Sequence, residues 1–174
     1  EAAMRGELNF EESLTERVAL LKGLDTNALQ YVYNDRLKLN PGAEKWISGL
    51  KKKGIKFALV SGGFTFFTHQ LKKQLGLDFT RANVLEENNG NLTGKVVGEI
   101  IGAQAKADFL HELCTELNIQ PHQVIAVGDG ANDLLMMKEA GLSIAYHAKP
   151  AVQEQATSSL NYAGLDAILD FIDQ

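Results

Sequence analysis

The run Val124-Ile125-Ala126-Val127-Gly128-Asp129-Gly130-Ala131-Asn132-Asp133-Leu134 restricts the fold more than any other stretch of the chain. A short, β-branched apolar segment reads as a buried parallel strand. Gly128 and Gly130 permit a tight turn, and Asn132-Asp133 open a helix that Gly141 is expected to close. Strand, glycine turn and helix in immediate succession predict a βα unit. Asp129 and Asp133 stand at the strand's carboxyl end, where open α/β sheets bind ligands. Two hard oxygen donors beside a helix N-terminus suit a magnesium ion and a phosphate oxygen together, because the cation offsets carboxylate repulsion and the helix amides take the anion. The blander alternative is a turn whose aspartates only cap.

Neighbouring segments repeat the rhythm. Lys56–Val60 predicts a strand, Thr65–Leu75 a helix stopped by Gly76, and Asn83–Glu87 with Leu92–Val97 a hairpin around Asn88-Asn89-Gly90-Asn91. A helix over Gln104–Leu117, a strand over Leu142–Tyr146, a loop at Lys149-Pro150 and helices near Ala151–Ala156 and Asp166–Ile172 complete the series. Such alternation predicts a three-layer α/β/α, Rossmann-like domain with a largely parallel sheet. Ahead of it, Leu8, Phe10, Leu14, Val18, Leu21 and Leu24 recur at helical spacing, so residues 1–38 are expected to form a small all-helical module and 39–174 the α/β core. Asn40-Pro41 is expected to start the first core helix as N-cap and first helical residue, and Gly54 to end it.

At 174 residues, the chain is long enough for one substantial core with a small appended module. A net charge of −5 argues against a nucleic-acid surface. The basic cluster Lys51-Lys52-Lys53 falls at a helix C-terminus and reads as a solvated face. No apolar run reaches membrane length, so a soluble, cytoplasmic protein is expected. The single cysteine, Cys114, lies among helically spaced apolar residues and reads as a buried structural thiol. The opening Glu1-Ala2-Ala3-Met4-Arg5 reads like the middle of a helix, so further sequence upstream is expected.

Two more places carry chemistry. In Ser61-Gly62-Gly63-Phe64, expected at a strand-to-helix turn, a hydroxyl and glycine amides could hold a phosphoryl oxygen; Ser61 as a plain N-cap is the alternative. Lys106 in the first turn of a helix opposes the helix dipole, and is either a surface charge or one held there for an anion.

Together, Ser61, Lys106, Asp129 and Asp133 resemble, in order and setting, the second, third and fourth motifs of the haloacid dehalogenase superfamily of phosphohydrolases. Gly6-Glu7-Leu8-Asn9-Phe10-Glu11-Glu12-Ser13-Leu14 and Arg17-Val18-Ala19-Leu20-Leu21 resemble the helical cap of its phosphoserine phosphatases. Leu59–Phe64, Asn91-Leu92-Thr93-Gly94 and Val127–Asp133 resemble their core.

The resemblance implies hydrolysis of O-phosphoserine, the last step of serine synthesis, by an aspartate that attacks phosphorus and an aspartyl-phosphate that water cleaves. It implies Mg2+ held by Asp129, catalytic roles for Ser61, Lys106 and Asp133, a phosphate contact from Gly62, and a contact from Asn132 to phosphate or the attacking water. Arg17 would pair with the substrate carboxylate, a task suited to a guanidinium fork, and Met4 and Phe10 would close over the serine moiety. For Met4 and Phe10 a helix-bundle core position is the alternative.

The family's first motif, an apolar strand ending in Asp-x-Asp-x-Thr that supplies nucleophile and general acid, does not occur in these residues. Five or six buried apolar residues of such a strand are worth on the order of 10 kcal/mol, at ~1.5–3 kcal/mol each. That rivals the stability of a whole domain, about 5–15 kcal/mol. The segment is therefore expected as a separate piece or as part of a longer enzyme, and the 174 residues alone are expected to be inactive. A homodimer is compatible with these features. The competing expectations are a neighbouring small-molecule phosphatase or phosphotransferase and a non-catalytic phosphate-binding module.

Overall fold

The computed structural model describes residues 10–172. Met4, Leu8 and the opening run 1–5 lie outside them. The chain divides into two compact units that are discontinuous in sequence, 1–38 with 59–102 and 39–58 with 103–174.

In the first unit, helix α1 (Phe10–Ala19) buries Leu14 and Val18, one helical turn apart, and packs on strand β3. Helix α2 (Asn27–Asp35) follows a turn through Gly23, whose φ of 83° is left-handed, so the described part of residues 1–38 holds two helices. Strands β1 (Ala58–Phe64), β2 (Phe79–Asn88) and β3 (Asn91–Val97) form a sheet in that order. The hairpin arises where the sequence places it: Asn88 pairs with Asn91, and Asn89 and Gly90 both have positive φ, as a two-residue primed turn demands. The segment after α1 joins the outer edge of this hairpin, with Gly23 N–H donating to the Leu92 carbonyl (2.8 Å) and Leu92 N–H to that of Leu24 (2.8 Å). Helix α4 (Thr65–Leu75) packs on β2 and stops at Gly76 in the left-handed conformation, as expected.

In the second unit, β4 (Ile125–Gly128), β5 (Leu142–Tyr146) and β6 (Ser158–Leu160) form a parallel sheet. Ile125 is in register with Leu142 and Gly128 with Ala145. Its core gathers Ala43, Trp46 and Leu50 of helix α3 (Ala43–Lys52) with Ile144, Leu165 and Ile168, and the Trp46 and Phe57 rings meet edge to face at 4.9 Å. Helices α5 (Ala103–Glu116) and α6 (Leu134–Glu139) pack together, and α7 (Pro150–Gln153) begins on its proline. Helices alternating with strands, parallel in this sheet, make the fold an α/β, Rossmann-like one. Cys114 is buried in α5, and burial pushes its thiol above the ordinary range. Among the described residues no helix is long and apolar enough to cross a membrane.

Four expectations need correction. Helix α3 starts at Ala43, because the Pro41 carbonyl accepts from Leu165 N–H (2.8 Å) and Gly42, at φ 81°, turns the chain first. Strand β1 runs on through Ser61-Gly62-Gly63 to Phe64, so these residues lie in a strand and Ser61 is no N-cap. Helix α6 ends at Glu139; Gly141 instead lets the backbone pass His122, whose carbonyl oxygen would lie 1.8 Å from a Cβ there. Strand β6 was not foreseen, and the last element, Leu165–Phe171, is a 3-10 helix.

Candidate active site

The sequence-predicted residues fall into two groups, one in each unit. In the first unit, Ser61, Gly62 and Gly63 lie in the C-terminal half of β1, just before α4. Gly63 N–H donates to Ser61 Oγ (2.9 Å), which occupies a lone pair of the hydroxyl and leaves its proton for another acceptor. Phe10, the first residue of α1, lies against this strand: a Cβ on Gly62 would stand 2.6 Å from the tip of its ring. Arg17 follows Phe10 by seven residues, two helical turns, on roughly the same face of α1. It is exposed and makes no hydrogen bond or ion pair among the described residues.

In the second unit the surface reading of Lys106 is overturned. Lys106 projects from the first turn of α5, is only 5% exposed, and its Nζ lies 2.6 Å from Asp133 Oδ1. Asp133 is 6% exposed. Its second oxygen, Oδ2, accepts from Asp129 N–H (3.2 Å) and Gly130 N–H (3.1 Å), closing the turn after β4. A buried carboxylate needs this degree of satisfaction, since an unpaired charge there costs several kcal/mol. Gly128 is dictated by the same closure, because a Cβ would lie 2.5 Å from that of Asp133. Asn132 is half-buried beside Gly130.

The two aspartates therefore differ in what they can still bind. Both oxygens of Asp133 are committed, whereas Asp129 is exposed and its carboxylate makes no hydrogen bond or ion pair among the described residues. Asp129 suits one ligand position of a hard divalent cation. Among the described residues no cluster of three acidic, histidine or cysteine side chains forms a complete metal site.

Comparison with known proteins decides the family. A family model of haloacid dehalogenase-like hydrolases matches residues 1–141. The chain belongs to that family. A relative named phosphoserine phosphatase from Polaromonas sp. (strain JS666 / ATCC BAA-500) is 53% identical over 99% of this chain and 75% of its own length. The solved structure of a probable phosphoserine phosphatase from Vibrio cholerae, in unliganded form, superposes with a TM-score of 0.92 at 45% identity, covering 99% of this chain. This chain spans about half of that structure, 53%. A substrate-bound phosphoserine phosphatase complex superposes with a TM-score of 0.91 at 42% identity, over 98% of this chain and 80% of the other.

One polar residue was missed by sequence reasoning: Asn83 of β2, wholly buried, donates from Nδ2 to the Gly62 carbonyl (2.9 Å). Its only signal is a lone amide in the buried stretch of a strand, beside Ala82.

Proposed function

We propose that the enzyme containing this chain is a magnesium-dependent phosphoserine phosphatase, releasing serine and phosphate from O-phosphoserine in the last step of serine synthesis. What carries the assignment is the 53% identity, over nearly the whole chain, to a relative of that name. The buried Lys106–Asp133 pair supports it, since it holds an ammonium in one place with donors left for an anion.

Residues 1–38 would act as a cap and 39–174 as the catalytic core. The Ser61 hydroxyl and the Gly62 amide hold phosphoryl oxygens. Lys106 spends one of its three N–H donors on Asp133 and offers the others to the charge that develops during transfer. Asp133 acts by holding Lys106 and the Gly128–Gly130 turn in place. Asn132 contacts phosphate or the attacking water. Asp129 is one ligand of the magnesium ion, which when bound supplies positive charge to the phosphoryl group. Arg17 takes the substrate carboxylate, while Phe10 and Met4 shield the serine moiety from water.

The nucleophile would be the first aspartate of the Asp-x-Asp-x-Thr motif, outside these residues: its oxygen bonds to phosphorus as the P–O bond to serine breaks, the second aspartate gives the serine oxygen its proton, and water then cleaves the aspartyl-phosphate.

Phosphate release from L-phosphoserine by the longest natural form containing this chain, with and without magnesium and beside the 174 residues alone, tests the proposal. Magnesium-dependent release by the long form and none by the short one is expected. Turnover of other phosphate esters but not phosphoserine would overturn the substrate.

A further inference from the structure

Asn83 is 0% exposed, yet it carries a primary amide, and an amide is expensive to bury without partners. Both of its ends are used. Nδ2 donates to the carbonyl oxygen of Gly62 (2.9 Å), and Oδ1 accepts from the backbone N–H of Ile101 (2.8 Å), itself a buried residue. Only one orientation of the amide satisfies both contacts, because the carbonyl requires a donor and the N–H an acceptor.

The peptide group that Asn83 grips has a second end. The carbonyl of Gly62 and the N–H of Gly63 belong to the same peptide unit, and that N–H donates to Ser61 Oγ at 2.9 Å. A continuous chain therefore runs from the Asn83 amide, through the 62–63 peptide, to the Ser61 hydroxyl. Each bond polarises the next, so donation to the carbonyl strengthens the N–H as a donor to Oγ. With one lone pair taken, the Ser61 hydroxyl keeps its proton for another acceptor.

We propose that Asn83 is a positioning residue for phosphate binding, fixing the Ser61 hydroxyl through the 62–63 peptide. This rests on the phosphate-binding role given above to Ser61. Asn83 touches no substrate; it acts on the residue that does. Asn83 also satisfies the buried Ile101 N–H, so an apolar side chain at this position would cost stability as well, and the test has to separate the two effects.

The test uses the longest natural form containing this chain, with inorganic phosphate as a competitive inhibitor of phosphoserine hydrolysis. Ser61→Ala examines the underlying role, Asn83→Leu the inference, and Leu92→Ala, at a buried position of β3 away from this network, reports the effect of lost stability alone. The inhibition constant is expected to rise on the order of tenfold in Asn83→Leu, the worth of the one hydrogen bond to the Gly62 carbonyl of the two that the substitution removes, and to stay at the wild-type value in Leu92→Ala. A wild-type constant in folded Asn83→Leu, or an equal rise in Leu92→Ala, overturns the inference while leaving the Ser61 role intact. An unchanged constant in Ser61→Ala overturns the phosphate-binding role and the inference with it. Should Asn83→Leu fail to fold, hydrogen exchange of the wild-type Asn83 side-chain amide decides: slower exchange on saturation with phosphate supports the coupling, and unchanged exchange overturns it.

Discussion

Two strand-to-helix junctions of this chain do similar work with different materials. The one at the end of β1 is neutral: a serine hydroxyl, glycine peptides and a buried asparagine amide, leading into a helix with no acid in its first turn. The one after β4 is charged, with one carboxylate closing the turn by two backbone amides and pairing with a buried ammonium. Removing one member of a neutral network leaves a dipole without its partner, at a cost of about 1–3 kcal/mol. Removing one member of a buried ion pair leaves a bare charge, at about 3–5 kcal/mol. The charged turn is thus the more fragile and the neutral one the more forgiving.

Lys106→Met breaks the comparison at its strongest point. It should cost about 3–5 kcal/mol of stability by urea denaturation, because Asp133 keeps its two amide donors but loses its counter-charge. Phosphoserine turnover by the longest natural form should fall with it. A loss below about 1 kcal/mol would show that the pair is solvated in solution and that the two turns do not differ in kind.

Two alanine substitutions apply nearly equal clashes to the two turns. A Cβ at Gly128 meets Asp133 Cβ at 2.5 Å, and one at Gly62 meets the Phe10 ring tip at 2.6 Å. The Asp133 side chain is pinned at both oxygens, so Gly128→Ala should cost about 1–3 kcal/mol as an overpacked site. The Phe10 ring is the free end of a side chain and can swing aside, so Gly62→Ala should cost under about 1 kcal/mol and show itself in a raised KM. Equal losses of stability would mean that Phe10 is as fixed as Asp133.

Much of the charged turn could be read before the structure, and much less of the neutral one. Gly128, Asp129 and Asp133 announce themselves because a buried carboxylate closing a tight turn requires particular residues at fixed spacing, all within six positions. The hairpin was legible for the same local reason, since Asn89-Gly90 supplies two left-handed residues. Ser61-Gly62-Gly63 misled because its composition signals a turn, while pairing in the sheet extends it as strand. Asn83 was invisible because its partners are 21 and 18 residues away, and no local pattern encodes such contacts. The burial of Lys106 escaped for a similar reason, its partner Asp133 lying 27 residues on.

Ser61→Ala sharpens the neutral side. The Gly63 N–H loses its acceptor, but this part of the chain is only half-buried, so water can replace the hydroxyl and the stability change should stay under about 1.5 kcal/mol. Activity should drop much further, on the order of a hundredfold, if the hydroxyl binds the transferring phosphoryl group. Parallel losses would reduce Ser61 to a structural residue.

The smallest effect concerns a second ion pair in the same unit as the charged turn. Lys45 Nζ and Asp166 Oδ2 lie 2.8 Å apart, but the lysine side chain is 75% exposed. The hydrogen bond from Lys45 holds the Asp166 carboxyl below the ordinary carboxylate range, and the same bond holds the Lys45 ammonium above the ordinary lysine range. A lowered carboxyl value contributes stability that is present at neutral pH and lost as pH falls through it. A raised lysine value contributes stability that is lost only as pH rises through it. Lys45→Met should therefore melt slightly below wild type at pH 7 in low salt, and the two should converge in strong acid as Asp166 is protonated. They should also converge at molar salt, where screening reaches within about 3 Å. The deficit of Lys106→Met should persist there, because a pair buried to 6% and 8% exposure is shielded from the ions that screen an exposed one. If salt erased both deficits alike, the buried pair would be behaving as a surface pair, and the contrast between the two turns would rest on position alone.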